Sequence, residues 1–241
     1  MSNTTTTTAH EAATIVQEYF DTAIQALLSW VDPLTLQVAE AQRSGGLNRA
    51  GLDALVKPYA LQTLALPALP IYGSGFIAAI DLLTDAHSHL AWWQGEDRRQ
   101  LVLASQTVNK ENIDYSELEW YRVPMTTGKP HVAGPHVDYL CSDEYTITVA
   151  APADVEGTRI GVAGVDLLVS SVERELTPQF TTLGRHEVTL VNAFDRVVVS
   201  TDPRRATGDS VRDSELARLP RSACGSLALT VIVEKSSAQT S

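Results

Sequence analysis

The residues best suited to chemistry are a group of aromatic side chains in the middle of the chain and one aspartate that follows them. The aromatic residues are Trp92, Trp93, Trp120, Tyr121, Tyr139 and Tyr145. Aromatic rings beside a carboxylate can form a pocket for a cation, because the rings supply flat apolar contact and cation–π attraction while the carboxylate supplies charge. Core packing is the competing interpretation of each ring, and strand alternation sends Trp92 and Trp93 to opposite faces.

Asp166 stands near the end of an almost wholly apolar strand, "IGVAGVDL". Alternation places Gly164 on the face of Asp166, so we expect space beside the carboxylate. Burying a carboxylate without a partner is unfavourable, and an inward Asp166 therefore needs an arginine, a hydroxyl or a ligand amine. A solvent-facing strand end and a helix N-cap are the alternatives. The capping-box pattern of Ser170 and Glu173 predicts that Ser170 caps the next helix instead.

Signatures of catalysis and metal binding are missing from the sequence. It contains no G-x-S-x-G, P-loop, G-x-G-x-x-G or H-E-x-x-H motif. His87 and His89 alternate and could share one strand face, but no convincing third metal ligand lies near them. Asp138, Asp166 and the histidines could form an acid–base set, although no nucleophile accompanies them. We therefore predict a protein without catalytic activity, metal or cofactor.

The composition limits the classes of partner. The chain has 241 residues and a formal net charge of -11. This charge repels phosphate backbones and anionic membranes, so we expect neither nucleic acid nor a membrane as a direct partner. The sequence has no apolar run long enough for a membrane span, and "MSNTTTTTAH" lacks the features of a secretory signal. We therefore predict a cytoplasmic protein, in which Cys141 and Cys224 are more plausible as free thiols than as a disulfide.

Helical patterns come first along the chain. Apolar residues spaced three and four apart predict an amphipathic helix over residues 10–31. Asp32 and Pro33 resemble an N-cap and a first-turn proline, so we expect a second helix to start there. A third helical piece is predicted over residues 49–56, ending before Pro58.

Patterns typical of strands follow the helices. They include "GSGFIAAIDLL", "HSHLAWWQG", "YTITVAAPADVEGTRIGVAGVDL", "HEVTLVNAFDRVVVST" and "GSLALTVIVE". Helices followed by neighbouring strands predict an α+β fold with an antiparallel sheet. We divide the chain into a disordered lead-in over 1–9, a helical region over 10–70, one strand-rich domain over 71–235 and a tail over 236–241.

Several of these segments together resemble the Cache superfamily of bacterial small-molecule sensor domains. They are "EWYRVP", "GPHVDY", "YTITVAAPADVEGTRIGVAGVDLLVSSVERE" and "TLVNAFDRVVVSTDP". The resemblance is closest to stand-alone members without membrane helices. It implies a PAS-like fold, with a long N-terminal helix packed on a central antiparallel sheet of about five strands. It also implies a ligand held between the sheet and a flap of loop and helix.

The resemblance further implies roles for single residues. Amino-acid-binding members hold the ligand carboxylate with an Arg-x-Trp-aromatic motif and the amine with later aspartates. Trp120 and Tyr121 match the aromatic pair, and Asp166 matches an amine-binding aspartate. Leu118 stands where the motif has arginine. Either Arg122 or Arg99 takes the place of that arginine, or the ligand binds without an arginine at its carboxylate.

The sequence thus favours a sensor module that detects an amine, an amino-acid-like compound or a carboxylate. The expected ligand-binding residues are Trp93, Trp120, Tyr121, Arg122, Asp138, Tyr145 and Asp166. The signal would pass to a separate regulator or transporter, with a homodimer as a possible assembly. A scaffold without a ligand and, with less support, an uncharacterised enzyme are the alternatives.

Overall fold

The computed structural model describes residues 3–101, 115–137 and 145–235. The first helix, α1 (Asn3–Arg43), has 41 residues. The predicted disordered lead-in over 1–9 is wrong where it is described, because α1 includes the threonine run. Thr5 and Thr8 are buried there. They fall on the same three-and-four-spaced stripe as Ala12 and Val16, so this stretch gains from packing as a helix.

Two helices continue through prolines at which we expected a boundary. Helix α1 passes Pro33, and α2 (Arg49–Leu64) passes Pro58. Both prolines lie on exposed faces, where the unpaired carbonyl one turn earlier can bind water. The buried stripe continues beyond each proline, through Leu34 in α1 and Ala60 in α2. Burial of that stripe outweighs the unfavourable proline.

The described residues form a six-stranded antiparallel sheet behind these helices. Its strands are β1 (Ile71–Ala78), β2 (Leu90–Gln94), β3 (Arg99–Gln100), β4 (His131–Val137), β5 (Tyr145–Val155) and β6 (Thr158–Leu168). Their order across the sheet is β3-β2-β1-β6-β5-β4. Helices α1 and α2 pack on this sheet, and α3 (Glu119–Thr127), which follows a 3₁₀ turn at Tyr115–Glu117, packs against β4, β5 and β6.

A second antiparallel sheet of four strands follows. Its strands are β7 (His186–Asn192), β8 (Val197–Ser200), β9 (Arg221–Ala223) and β10 (Leu229–Lys235), in the order β8-β7-β10-β9. A 3₁₀ segment, Glu215–Arg218, precedes β9. The α+β class and the long N-terminal helix are confirmed. The described part of the strand-rich region nevertheless forms two sheets, where one of about five strands was expected.

Helix α4 (Val169–Thr181) connects the two sheets. The predicted capping box is wrong, because the N-cap is Leu168 and no side chain caps this helix. Glu173 instead accepts a hydrogen bond of 2.6 Å from the hydroxyl of Thr207. This contact ties α4 to the segment that follows β8.

The main core lies between α1 and the two sheets. Phe20 and Leu27 of α1 are fully buried in it. The indole of Trp30 stacks on Tyr59 of α2 at 5.6 Å between ring centroids and donates to the Thr63 hydroxyl at 3.1 Å. None of the helices described is both long and apolar enough to cross a membrane.

Candidate functional site

The two faces of the six-stranded sheet have different partners. Phe76 and Trp93 lie on the face that packs against α1 and α2. Asp166 lies on the other face, where its register partners are Gly73 of β1 and Thr148 of β5. Asp166 is therefore on the face of the sheet that α3 covers.

The carboxylate of Asp166 is buried, with 6% of the residue exposed. The Thr148 hydroxyl donates to its Oδ1 at 2.6 Å. Of the three partners that an inward Asp166 was expected to need, the structure supplies the hydroxyl. The N-cap alternative is excluded, because Asp166 is within β6 and Leu168 is the N-cap of α4.

The indole of Trp92 lies over Gly164, where we expected open space near Asp166. A Cβ atom added to Gly73 would lie 2.7 Å from the Trp92 Nε1, and one added to Gly164 would lie 3.2 Å from the far edge of the ring. Gly75 lies beneath the same ring, where an added Cβ would be 2.8 Å away. The ring can approach the strands this closely because these three residues are glycines and have no Cβ.

Aromatic rings from α3 and the turn before it cover this face. Tyr115 and Tyr121 are buried and belong to one apolar cluster with Trp92. Trp120 packs against both tyrosines, at centroid distances of 6.0 Å and 6.2 Å. The start of α3 is held to the sheet by Glu119, whose carboxylate bonds the imidazole of His131 on β4 at 2.8 Å. The resulting candidate site is a buried carboxylate at the end of an aromatic-walled layer.

Three of the predicted site residues come together in this layer: Trp120, Tyr121 and Asp166. Trp93 does not, because alternation along β2 turns its ring into the helix-covered core. Tyr145 also lies outside this layer. It is the first residue of β5, its side chain points to the other side of the strand from that of Thr146, and its hydroxyl lies beside Gly208. Its expected place in the pocket is therefore not supported by the structure.

The arginines considered as substitutes for Leu118 lie elsewhere. Arg122 is exposed on α3, and Arg99 is exposed on β3 in an ion pair with Asp97 at 2.8 Å. Leu118 itself is the N-cap of α3. The expected contact from Asp138 lies outside the described residues, as do Tyr139 and Cys141.

Sequence reasoning missed three members of the site. Trp92 was recognised as one of two rings on opposite faces, but alternation does not say which face binds helices. Thr148 carried a usable signal, because in a strand paired with β6 a threonine opposite an aspartate can donate to it. Tyr115 was missed because its position depends on the turn before α3.

The described residues contain no group of three or more His, Cys, Asp or Glu side chains suited to a metal ion. His87 and His89 bond separate carboxylates, those of Asp81 at 2.7 Å and Asp53 at 2.8 Å. Cys224 is a free, fully buried thiol, and burial raises its pKa to about 12. This thiol is therefore poorly suited to nucleophilic chemistry at neutral pH.

A cavity of about 540 Å³ lies where the two sheets meet. Its lining includes Trp120 at the start of α3, Pro135 on β4 and Phe194 in the turn after β7. The Asn192 amide donates to the Gly134 carbonyl at 2.8 Å and joins the sheets at this point. Trp120 thus contacts both the aromatic layer and the junction of the sheets.

Comparison with known proteins agrees with this architecture. Residues 79–174 match the family of methyl-accepting chemotaxis protein-like, first PDC sensor domains. No curated protein matches the sequence. The matched family is a sensor domain, and the resemblance to the Cache and PDC class is confirmed.

Solved structures with this fold include ligand-binding domains of bacterial chemoreceptors. The domain of CtaA from Pseudomonas fluorescens, in complex with L-valine, has 14% identity and a TM-score of 0.67, covering 99% of this chain and 98% of that one. The domain of PctB from Pseudomonas aeruginosa, with L-Arg, has 15% identity, a TM-score of 0.61 and coverage of 97% and 96%. A Campylobacter jejuni chemoreceptor domain, with L-norvaline, has 12% identity, a TM-score of 0.60 and coverage of 94% and 89%.

Proposed function

We propose that this protein is a sensor module that binds a small molecule carrying a protonated amine and signals to a separate protein. The observation that carries the proposal is Asp166, a buried carboxylate held by Thr148 at the end of an aromatic layer. A carboxylate attracts the ammonium group, and the neighbouring rings add cation–π and apolar contact.

The ligands of similar structures support an amine-bearing ligand. L-valine, L-Arg and L-norvaline, the compounds in complex with three such domains, are all α-amino acids. Those domains share the fold with this chain at 12–15% identity, so the individual ligand does not transfer. With leucine at position 118, the ligand here does not depend on an arginine at that position.

The receiver of the signal would be a separate regulator or transporter. The proposal retains two predictions from the sequence, a cytoplasmic location and a homodimer. Trp120 supports a route for the signal, because it contacts the aromatic layer on one side and the junction of the two sheets on the other.

Thermal-shift screening against amines, amino acids and simple carboxylates tests the proposal. A compound that binds only the folded protein raises the melting temperature, so we expect amine-bearing compounds to give shifts and simple carboxylates to give none. Asp166→Asn should abolish the shift, because the amide keeps an acceptor for Thr148 but loses the charge.

Asp154→Asn is the matched control, since Asp154 is an exposed aspartate on the same sheet, at the far end of β5. It should keep the ligand shift. If Asp166→Asn loses its far-UV circular dichroism without any ligand, the aspartate is structural and the site assignment fails. Simple carboxylates stabilising the protein while amines do not would contradict the proposed ligand class.

A further inference from the structure

We propose that the indole N–H of Trp92 donates to an uncharged acceptor on the ligand, next to the amine bound by Asp166. The ligand class is then a primary amine with a hydroxyl or carboxamide on the neighbouring carbon. This inference rests on the proposed function and assigns the second contact of the same site.

The first observation is an unsatisfied donor. Trp92 is only 3% exposed, and its Nε1 is buried without a hydrogen-bond partner among the described residues. Buried indole N–H groups usually have a partner, so this unpaired one is suited to an acceptor on a bound molecule.

The second observation is where this donor lies. The N–H edge of the ring is over Gly73, with Nε1 2.7 Å from the position of an added Cβ, and Gly73 pairs with Asp166 across β1 and β6. Directly opposed Cβ positions in a sheet are about 4.5–5.5 Å apart. The donor and the carboxylate therefore lie at paired positions of neighbouring strands on one face of the sheet, an arrangement that suits two adjacent functional groups of one small molecule.

The third observation concerns charge. The indole N–H is neutral, and residue 118 is leucine rather than a guanidinium donor. A ligand carboxylate next to Asp166 would be repelled by it, and one neutral hydrogen bond does not offset two nearby like charges. A hydroxyl or amide carbonyl accepts the same hydrogen bond without this repulsion.

Four probes that share one side chain separate these contributions: isoamylamine, L-leucinol, L-leucinamide and L-leucine. Their dissociation constants are measured by calorimetry at a pH at which every amine is protonated. We expect leucinol and leucinamide to bind at least about fivefold more tightly than isoamylamine, as one neutral hydrogen bond allows. Leucine should bind less tightly than leucinamide.

Trp92→Phe removes the N–H and keeps an aromatic ring over the glycines. It should remove the advantage of leucinol and leucinamide over isoamylamine. Trp93→Phe makes the same change one residue later on the opposite face, and it should leave that advantage intact. An equal loss of affinity for all four probes in Trp92→Phe would mean that the ring only packs, and would overturn the inference.

The wild-type protein provides a readout that does not depend on a folded variant. The chain has four tryptophans, so a ¹⁵N correlation spectrum contains four indole N–H signals to assign. Leucinamide should move the Trp92 signal downfield and slow its exchange with solvent, and isoamylamine should do neither.

The outcomes separate the two proposals. If isoamylamine binds but leucinol and leucinamide bind no more tightly, or leucine binds most tightly, the Trp92 inference fails and the amine site stands. If no probe binds while simple carboxylates do, the proposed function itself fails, and this inference fails with it.

Discussion

The position of the Trp92 ring is set by residues that have no side chain. Gly73, Gly75 and Gly164 let the indole lie against the strands, with its N–H edge over Gly73, the register partner of Asp166. The space that we expected directly above Gly164 is thus occupied by the Trp92 ring. The consequence is that small changes in these glycines should act on the ligand site through Trp92.

Gly73→Ala and Gly164→Ala should both destabilise the protein, by different amounts. The added Cβ would lie 2.7 Å from the ring at Gly73 but 3.2 Å from it at Gly164. Overpacking of this kind costs about 1–3 kcal/mol, and we expect Gly73→Ala to lose more stability than Gly164→Ala. Urea denaturation measures the free energies of unfolding, and tryptophan fluorescence reports the displacement of the ring. The reverse order of the two effects would contradict the assigned ring position.

At this scale the sequence predicted correctly that Asp166 points inward, and Tyr121, which it assigned to the same site, is also buried. The ligand contacts of both residues stay predictions. Strand alternation is sufficient for Asp166, because the apolar residues around it identify a buried strand. Alternation could not choose between Trp92 and Trp93. That choice depends on which face the helices cover, a property of the tertiary fold and not of the strand.

The extent of each of the helices α1, α2 and α4 is determined by its stripe of buried residues rather than by local capping residues or prolines. In α1 and α2 the apolar spacing passes through Pro33 and Pro58, and in α4 the helix begins before its expected cap. Hydrophobic periodicity therefore predicts where these helices lie better than capping or proline rules do. Local signals are each worth about 1–3 kcal/mol, which burial of a long stripe exceeds.

Pro33→Ala should stabilise the protein. Pro33 is exposed within α1, so alanine restores a backbone N–H and removes the clash of the proline ring with the preceding turn. The greater freedom of the unfolded chain offsets part of this gain. We expect a net gain of about 1–2 kcal/mol, or a melting temperature raised by about 2–8 °C.

Differential scanning calorimetry provides the measurement. Gln37→Ala, at another exposed position of α1, is the control and should change the melting temperature by far less. A lower melting temperature for Pro33→Ala would show that the ring makes a contact that the helix needs.

For the whole molecule, the separation into two sheets could not be predicted from the sequence. The strand patterns on both sides of α4 are alike, and the boundary arises from contacts between distant residues. Asn192 bonds Gly134 across 58 positions of sequence. A strand's own residues identify the strand but not its pairing partner, which is why a single sheet was expected.

A buried charge, Asp202, lies beside the second sheet in the turn that follows β8. Asp202 is 1% exposed and accepts hydrogen bonds from the Arg204 guanidinium at 2.8 Å and 3.0 Å. The Arg205 Nε lies 3.1 Å from the same carboxylate, and Arg205 also pairs with Glu234 of β10. These arginines, Arg204 first, hold the pKa of Asp202 below its usual range despite the opposing effect of burial.

Asp202→Asn should therefore destabilise the protein by about 2 kcal/mol near neutral pH, the range of a hydrogen bond to a charged group. A lowered pKa in the folded state means that the carboxylate contributes fully above its unfolded pKa of about 4. That contribution is lost as the pH falls through the lowered value.

Urea unfolding at pH 7, 5 and 3 tests this prediction. The difference in unfolding free energy between wild type and Asp202→Asn should persist at pH 7 and 5 and shrink towards pH 3. Asp97→Asn, which breaks the exposed pair with Arg99, should change stability little at any of these pH values. A pH-independent difference for Asp202→Asn would show that its charge is not what stabilises the turn.

Helix α1 serves both sheets at once. The side chain of Gln17 lies against Gly225, in the turn before β10, while Trp30 packs on α2 beside the first sheet. One residue inserted between them would rotate the rest of the helix by about 100° and advance it by about 1.5 Å. Only one sheet could then keep its apolar contacts with α1. The helix can therefore accept many substitutions, but it does not tolerate a change in the number of residues between its contacts with the two sheets.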